Sequence, residues 1–236
     1  MARKIVFTSG MHGVGQSTIC ALTGCGLALL GKKTVLVDLS TGANSLQKIL
    51  NFKAKYDIFD VSNMFCRLKQ AVVSVPNFLQ LFCLPRVGEC STEKISLKLL
   101  EEVLDSLNCD YDFVLIDCPI RAELSFYKLI FYGSEAIIVS TTDKKAVMDT
   151  NNMASVVCGC NASMKLFINK LTQLEKKRNV DFEIANWLKI ELFDSLVNFE
   201  KCSVSNIMLS SELLSNCFRF GENFFGKYNK LRRINV

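Results

Sequence analysis

The stretch Ile5-Val6-Phe7-Thr8-Ser9-Gly10-Met11-His12-Gly13-Val14-Gly15-Gln16-Ser17-Thr18 decides how the chain folds. An apolar strand leads into a turn with three glycines, and the turn leads into a helix that is expected to end near Gly31. Glycines in such a turn let backbone N–H groups point at an anion, and the positive end of the helix dipole adds to the attraction. This order predicts a phosphate-binding loop over residues 10–18. The alternative is a glycine turn that binds no ligand.

Two later strands each end on an acid. Apolar residues run without interruption up to each acid in Val35-Leu36-Val37-Asp38, which follows Thr34, and in Phe113-Val114-Leu115-Ile116-Asp117. Strands without polar alternation are covered on both faces, and helical segments lie between them. The pattern predicts a doubly wound α/β fold, with a mostly parallel sheet and helices on both faces. A helix is expected over residues 61–73, with Phe65, Leu68 and Val72 on one side. The domain is expected to span residues 1–219, followed by a tail over 220–236.

The two acids are expected at the carboxyl edge of the sheet, where α/β proteins bind ligands. Ser17, Asp38 and Asp117 are the candidate Mg²⁺ ligands. A phosphate loop usually ends Gly-Lys-Ser/Thr, but here Gln16 stands in the lysine position. Replacing a charged hydrogen bond by a neutral one should cost roughly 1–2 kcal/mol, or about tenfold in affinity.

Composition narrows the function classes. The chain has 236 residues, half of them hydrophobic, which is enough for a single core. A net charge of +5 permits contact with anionic lipid or nucleic acid without requiring it. The 11 cysteines include no CxxC pair, so thiols such as Cys20, Cys83 and Cys118 are expected to be buried and reduced. No signal peptide and no 18-residue apolar run is present, so a cytoplasmic protein is expected.

Longer segments carry a family resemblance. The chain resembles the MinD/ParA family of P-loop ATPases, and its MinD branch above all, in Leu30-Gly31-Lys32-Lys33-Thr34, Tyr111-Asp112-Phe113 through Cys118-Pro119, and Phe167-Ile168-Asn169-Lys170. The resemblance implies ATP with Mg²⁺ as ligand and Asn169 at the adenine. It also implies a homodimer, a MinC- or MinE-like partner and a role in placing the division septum. The candidate nucleotide-binding residues are Gly10, Met11, His12, Gly13, Val14, Gly15, Gln16, Ser17, Thr18 and Asn169.

Three departures from the family concern the chemistry of hydrolysis. Met11 replaces the signature lysine that reaches the partner's phosphates, Gln16 replaces the second lysine, and Ser40 replaces the aspartate that positions water. Phosphoryl transfer depends on placed positive charge and an oriented nucleophile. Weak or absent hydrolysis is therefore expected, no residue is proposed as catalytic, and a nucleotide-binding or scaffold role is favoured. Residues that could supply the missing charge are Arg121, Lys170 and a protonated His12.

Two other functions stay open. One is an active MinD-type ATPase with a rewired site. The other is a ParA-type partitioning protein, which needs a basic patch; only Lys176-Lys177-Arg178 and the tail are dense in cations, so no specific nucleic acid is expected. An iron–sulfur carrier is disfavoured because CxxC is absent.

The tail has a basic amphipathic pattern. Phe224, Phe225, Tyr228 and Leu231 would share one side of a helix, with Lys227, Lys230 and Arg233 on another. Tails of MinD-type proteins are similar and target the membrane. Peripheral contact with the inner face of the cell membrane is therefore expected, and packing of this segment on the domain is the alternative.

Overall fold

A single sheet organises the chain. The computed structural model describes residues 1–40, 46–78, 80–85, 96–198 and 211–225. Within these residues the sheet has the strands β1 (Arg3–Thr8), β2 (Thr34–Asp38), β3 (Val73–Ser74), β4 (Leu81–Leu84), β5 (Phe113–Asp117), β6 (Glu135–Ser140), β7 (Ser163–Leu171) and β8 (Leu192–Val197). The helices are α1 (Gln16–Leu29), α2 (Leu46–Ile49), α3 (Ile58–Ser62), α4 (Leu68–Ala71), α5 (Leu97–Asp110), α6 (Leu124–Phe131), α7 (Lys144–Gly159), α8 (Gln173–Lys177), α9 (Val180–Leu188) and α10 (Ser211–Asn223).

The strand order is β3-β4-β2-β5-β1-β6-β7-β8, and only the β3–β4 pair is antiparallel. Alternate residues of β5 enter different core clusters: Val114 and Ile116 face one layer of helices, and Leu115 faces the other. Helices therefore cover both faces, which confirms the predicted doubly wound α/β fold. The expected buried thiols Cys20, Cys83 and Cys118 are fully buried, as predicted.

The register of the central strands places the site. Phe7 and Asp38 both pair with Asp117 across the neighbouring strands. Because parallel strands end at the same edge, the turn after β1 and the acids of β2 and β5 come together there.

The helix predicted over residues 61–73 is wrong. Asp57 caps α3, whose helical turns stop at Ser62, and Met64 adopts a left-handed backbone with φ 61°. A left-handed residue cannot continue a right-handed helix, so the chain restarts as α4. Phe65, expected on one side of that helix with Leu68 and Val72, is 75% exposed.

The predicted domain boundary at residue 220 is also wrong. Helix α10 crosses it, and both Phe220 and Phe224 are buried against the core. The close crossing of α10 on α1 explains why, since Gly26 and Gly221 remove the side chains that would separate the two backbones. The folded domain therefore includes residues up to Phe225.

Replacing Gly26 should loosen this crossing. A Cβ at position 26 would lie 1.9 Å from the backbone oxygen of Cys217, which only a shift of α10 could relieve. We expect Gly26→Ala to lower the free energy of unfolding by about 1–3 kcal/mol in urea denaturation. Gly159→Ala is the matched control, because nothing lies within 4 Å of its Cβ. Equal stability of both variants would contradict the tight α1–α10 contact.

Candidate functional site

The loop between β1 and α1 depends on its glycines. Gly13 and Gly15 have φ of 81° and 93°, in the left-handed region that favours glycine. A Cβ on Gly15 would also lie 2.3 Å from the side-chain nitrogen of Asn169. A Cβ on Gly10 would lie 2.2 Å from the backbone oxygen of Asp149. The loop is therefore a tight turn at the start of α1, which is the geometry expected of a phosphate cradle.

Gln16 makes three hydrogen bonds at the bottom of this loop. Its Nε2 donates to Asp117 Oδ1 at 2.7 Å and to the Cys118 carbonyl at 2.6 Å. Its Oε1 accepts from the Ser9 hydroxyl at 2.7 Å. Because the Cys118 carbonyl can only accept, the atom facing it must be the amide nitrogen. We call these three hydrogen bonds the Gln16 bridge.

The Gln16 bridge uses every hydrogen of the side-chain amide. The side chain is 7% exposed and points back to β5. To donate to a bound phosphate, it would have to give up its hydrogen bond to Asp117 or to Cys118. Loss of the lysine thus removes a charge and also commits its replacement to other partners.

Asp38 and Asp117 form a buried pair of carboxyl groups beside the bridge. The pKa of Asp38 is raised to about 7, mainly by burial and next by the neighbouring charge of Asp117. Hydrogen bonds from Leu46 and Ser40 act in the opposite direction and lower it. Burial also raises the pKa of Asp117 to about 6, against hydrogen bonds from Ser17, Gln16 and Ser40. A neutral amide offsets these shifts less than a lysine would.

The donor set fits a magnesium ion. Within the described residues, Asp117 Oδ2 is buried and has no partner at good hydrogen-bond geometry. The Ser17 hydroxyl hydrogen-bonds to Asp117 and lowers the pKa of Asp117. Asp38 pairs with Asp117 on the neighbouring strand. Carboxylate and hydroxyl oxygens are the ligands that Mg²⁺ prefers. The structure thus brings together the three candidate metal ligands.

The other candidate loop residues have different surroundings. Met11 is half-buried and packs against the core, so it does not extend outward as a lysine would. His12 is exposed, Val14 is buried and Thr18 is half-buried. Ser40 donates its hydroxyl to Asp38 Oδ1 at 3.0 Å.

Two residues at the end of β7 hold the loop from the other side. The Asn169 amide donates to the Val14 carbonyl at 2.8 Å, whereas the resemblance implied contact with adenine. Lys170 donates its ammonium to the Gly13 carbonyl at 2.6 Å. Of the three cations named as substitutes for the lysines, Lys170 therefore contacts the loop directly. Arg121 is exposed after β5.

Ser9 was not singled out from the sequence. It is fully buried and fixes the Oε1 of Gln16. The position of Ser9 could have indicated a role in the site, because it is a hydroxyl residue directly after a buried strand and before the glycine turn.

Comparison with known proteins identifies the family. Residues 2–184 match the AAA domain family. A putative septum site-determining protein MinD of Guillardia theta is 32% identical over 189 residues, which are 79% of this chain and 70% of that protein. The chain belongs to the MinD/ParA family. The MinD of Synechocystis is 31% identical over 212 residues, covering 87% of this chain and 79% of that protein.

Solved structures of this family share the fold. The MinD of a MinC:MinD complex from Aquifex aeolicus has a TM-score of 0.84 at 24% identity, covering 96% of each chain. The MinD of Pyrococcus horikoshii, complexed with Mg-ADP, has a TM-score of 0.80 at 22% identity, covering 100% of this chain and 99% of that one.

The buried acids should make stability depend on pH. The pKa values of Asp38 and Asp117 are higher in the folded protein than the ordinary 3.8. As pH rises from about 4 to about 7, the unfolded chain therefore loses protons first and the free energy of unfolding falls. We expect Asp38→Asn to flatten this decline and to be more stable than the parent at pH 8 by roughly 1–3 kcal/mol.

Urea denaturation between pH 4.5 and pH 8 measures this effect, with the exposed Asp110→Asn as matched control. A parallel pH dependence in the parent and in Asp38→Asn would contradict the raised pKa.

Proposed function

We propose that this protein is a MinD-type nucleotide-binding or scaffold component in placement of the division septum or a related polar structure, with weak or absent ATP hydrolysis. The observation that carries the proposal is the Gln16 bridge. It joins the start of α1 to Ser9, Asp117 and Cys118 and so engages both amide hydrogens that could donate to a phosphate. The family is that of MinD proteins, and the MinD of Pyrococcus horikoshii, which shares this fold, is complexed with Mg-ADP.

Weak hydrolysis follows from three positions around the site. Gln16 is neutral and turned toward Asp117, and Met11 packs on the core. Ser40 donates to Asp38, and a hydroxyl so engaged is a poor base for an attacking water. Since phosphoryl transfer relies on positive charge and an oriented nucleophile, their joint loss removes most of the catalysis.

Nucleotide binding is weakened but retained. The backbone N–H groups of the loop and the start of α1 remain, and they provide most of a phosphate cradle. Ser17, Asp38 and Asp117 would hold Mg²⁺, which neutralises phosphate charge when bound. Lys170 would provide the remaining cation, because its ammonium already lies at the Gly13 carbonyl.

Calorimetry and turnover test this proposal. We expect Mg-ATP to bind the parent protein weakly, and Lys170→Ala to reduce the affinity by about tenfold, because a charge-assisted contact is lost. Lys177→Ala, which removes an exposed lysine of α8, should bind like the parent. Steady-state hydrolysis should stay near background even with lipid present.

Two results would contradict this assignment, each in a different part. Turnover at a rate typical of MinD proteins would refute the loss of catalysis. Equal affinity of Lys170→Ala and the parent would refute the role of Lys170. Absence of any binding at millimolar Mg-ATP would leave the scaffold role alone.

The same fold suggests protein contacts. The Aquifex aeolicus MinD is seen with MinC, so a MinC-like protein is the proposed partner, with a MinE-like protein as the second. A homodimer closed over the loop would meet Met11 instead of a lysine. Its contact at that point would therefore be apolar.

A ParA-type role receives less support. In the basic run 176–178, the Lys176 ammonium is bonded to Asp181 and Ser195. This pairing leaves fewer cations for a nucleic acid phosphate.

The proposed membrane tail begins later than its sequence pattern indicated. Phe224 is buried between Phe113 and Phe193, so it is unavailable to a membrane. Phe225 is 43% exposed, whereas Tyr228 and Leu231 lie outside the described residues. None of the helices in the described part of the chain is long and apolar enough to span a bilayer.

Truncation should therefore start after Phe225, because removal of Phe224 would damage the core. We expect a chain ending at residue 225 to keep its fold by circular dichroism and to lose part of its co-sedimentation with anionic liposomes. Unchanged pelleting of the truncated chain would rule the tail out as a membrane contact.

A further inference from the structure

The loop between α3 and α4, residues 63–67, exposes two large apolar side chains. Met64 is 86% exposed and Phe65 is 75% exposed, whereas most large apolar residues of the described chain are buried. Neither side chain contributes to the core, so their presence is not explained by folding. We call residues 63–67 the α3–α4 loop.

The α3–α4 loop is held in this shape by its own backbone. The Phe65 N–H donates to the Asp60 carbonyl at 2.8 Å, and the Asn63 side chain donates to the Phe59 carbonyl at 2.9 Å. Met64 has a left-handed backbone, φ 61°, which is unfavourable for a side chain without a local hydrogen-bonding group. A strained and ordered exposed residue points to function.

Cations flank the apolar pair on both sides along the chain. The described segment 46–70 has five exposed cations: Lys48, Lys53, Lys55, Arg67 and Lys69. Helix α3 is about 7.5 Å long, so it adds only that distance between the preceding segment and the α3–α4 loop. The acids of the described segment 46–70 are Asp57 and Asp60, and both carboxylates cap the start of α3. Along this segment, the exposed charged side chains on either side of Met64 and Phe65 are therefore all positive.

We propose that the α3–α4 loop is a contact for a bilayer containing anionic phospholipid. Apolar side chains that enter the headgroup boundary, surrounded by lysine and arginine, are the pattern of interfacial membrane binding. A uniformly negative surface complements a segment whose exposed charges are all positive, whereas a protein partner usually presents both signs.

This contact is separate from the tail. The α3 helix begins beside Pro85, after the carboxyl end of β4, because the Ile58 N–H donates to the Pro85 carbonyl. Phe225 lies at the opposite edge, beside Phe113 at the start of β5. The two elements are thus at opposite ends of the strands, and a membrane test must report on each one separately.

The protein's single tryptophan makes such a test direct. Trp187 is 60% exposed on α9, so Trp187→Phe should fold normally, and Phe65→Trp in that background places the only indole in the loop. The full-length double variant is mixed with phosphatidylcholine vesicles containing phosphatidylserine and brominated acyl chains. We expect a blue shift and quenching of the introduced tryptophan, weakened by salt. The parent protein, reporting Trp187, should show neither.

Charge variants in the same background test the electrostatic part. Lys53→Gln with Lys69→Gln should weaken partition into anionic vesicles by about 25-fold, or about fivefold per cation. Lys177→Gln with Lys189→Gln is the matched control and should have no such effect. Far-UV circular dichroism confirms that each variant folds.

Three outcomes overturn the proposal. One is unchanged emission of the introduced tryptophan while the protein still pellets with vesicles. Another is an equal response on pure phosphatidylcholine, which would remove the role of charge. The third is quenching by single-stranded nucleic acid at lower concentration than by anionic vesicles, which would assign the loop to another partner.

Discussion

The side-chain amide of Gln16 joins the start of α1 to the end of β5 and so determines the state of the site. The amide donates hydrogen bonds to the Asp117 carboxylate and the Cys118 carbonyl, and it accepts one from the Ser9 hydroxyl. A lysine at this position would bring charge to the buried acids, whereas the amide leaves them to be neutralised by a proton or a metal ion. Burial raises the pKa of both acids, and the hydrogen bond from Gln16 only partly offsets this rise at Asp117.

The sequence predicted the fold wherever local pattern and burial agree. The glycine turn and the apolar strands that end on Asp38 and Asp117 define the sheet and its binding edge. Prediction failed where one apolar pattern suits two environments. Helical spacing of Phe65, Leu68 and Val72 indicated one continuous helix, but the left-handed backbone of Met64 interrupts it. The position of Phe224 in the amphipathic tail pattern was compatible with contact to a membrane or to the protein core. The close crossing of α1 and α10 places Phe224 in the core.

At the site, the sequence showed the loss of charge but not its structural consequence. Gln16 bonds to Asp117, 101 positions away, and Lys170 bonds to Gly13, 157 positions away. Contacts of this range depend on how strands are ordered in the sheet, which no local pattern encodes. Ser9 was missed for the same reason, because its role exists only once Gln16 turns toward β5. The glycine geometry of the loop and its lack of a lysine at position 16 are therefore separate properties of one segment.

Restoring the charge tests the central claim most directly. In Gln16→Lys the amide bridge is replaced by an ammonium between the acids and the phosphate cradle. Mg-ADP binding by calorimetry should then tighten by about tenfold, from the added charge-assisted contact. Hydrolysis should remain weak, because Met11 and Ser40 are unchanged. An affinity for Mg-ADP equal to that of the parent would contradict the account, since it would show that the Gln16 bridge does not limit the site.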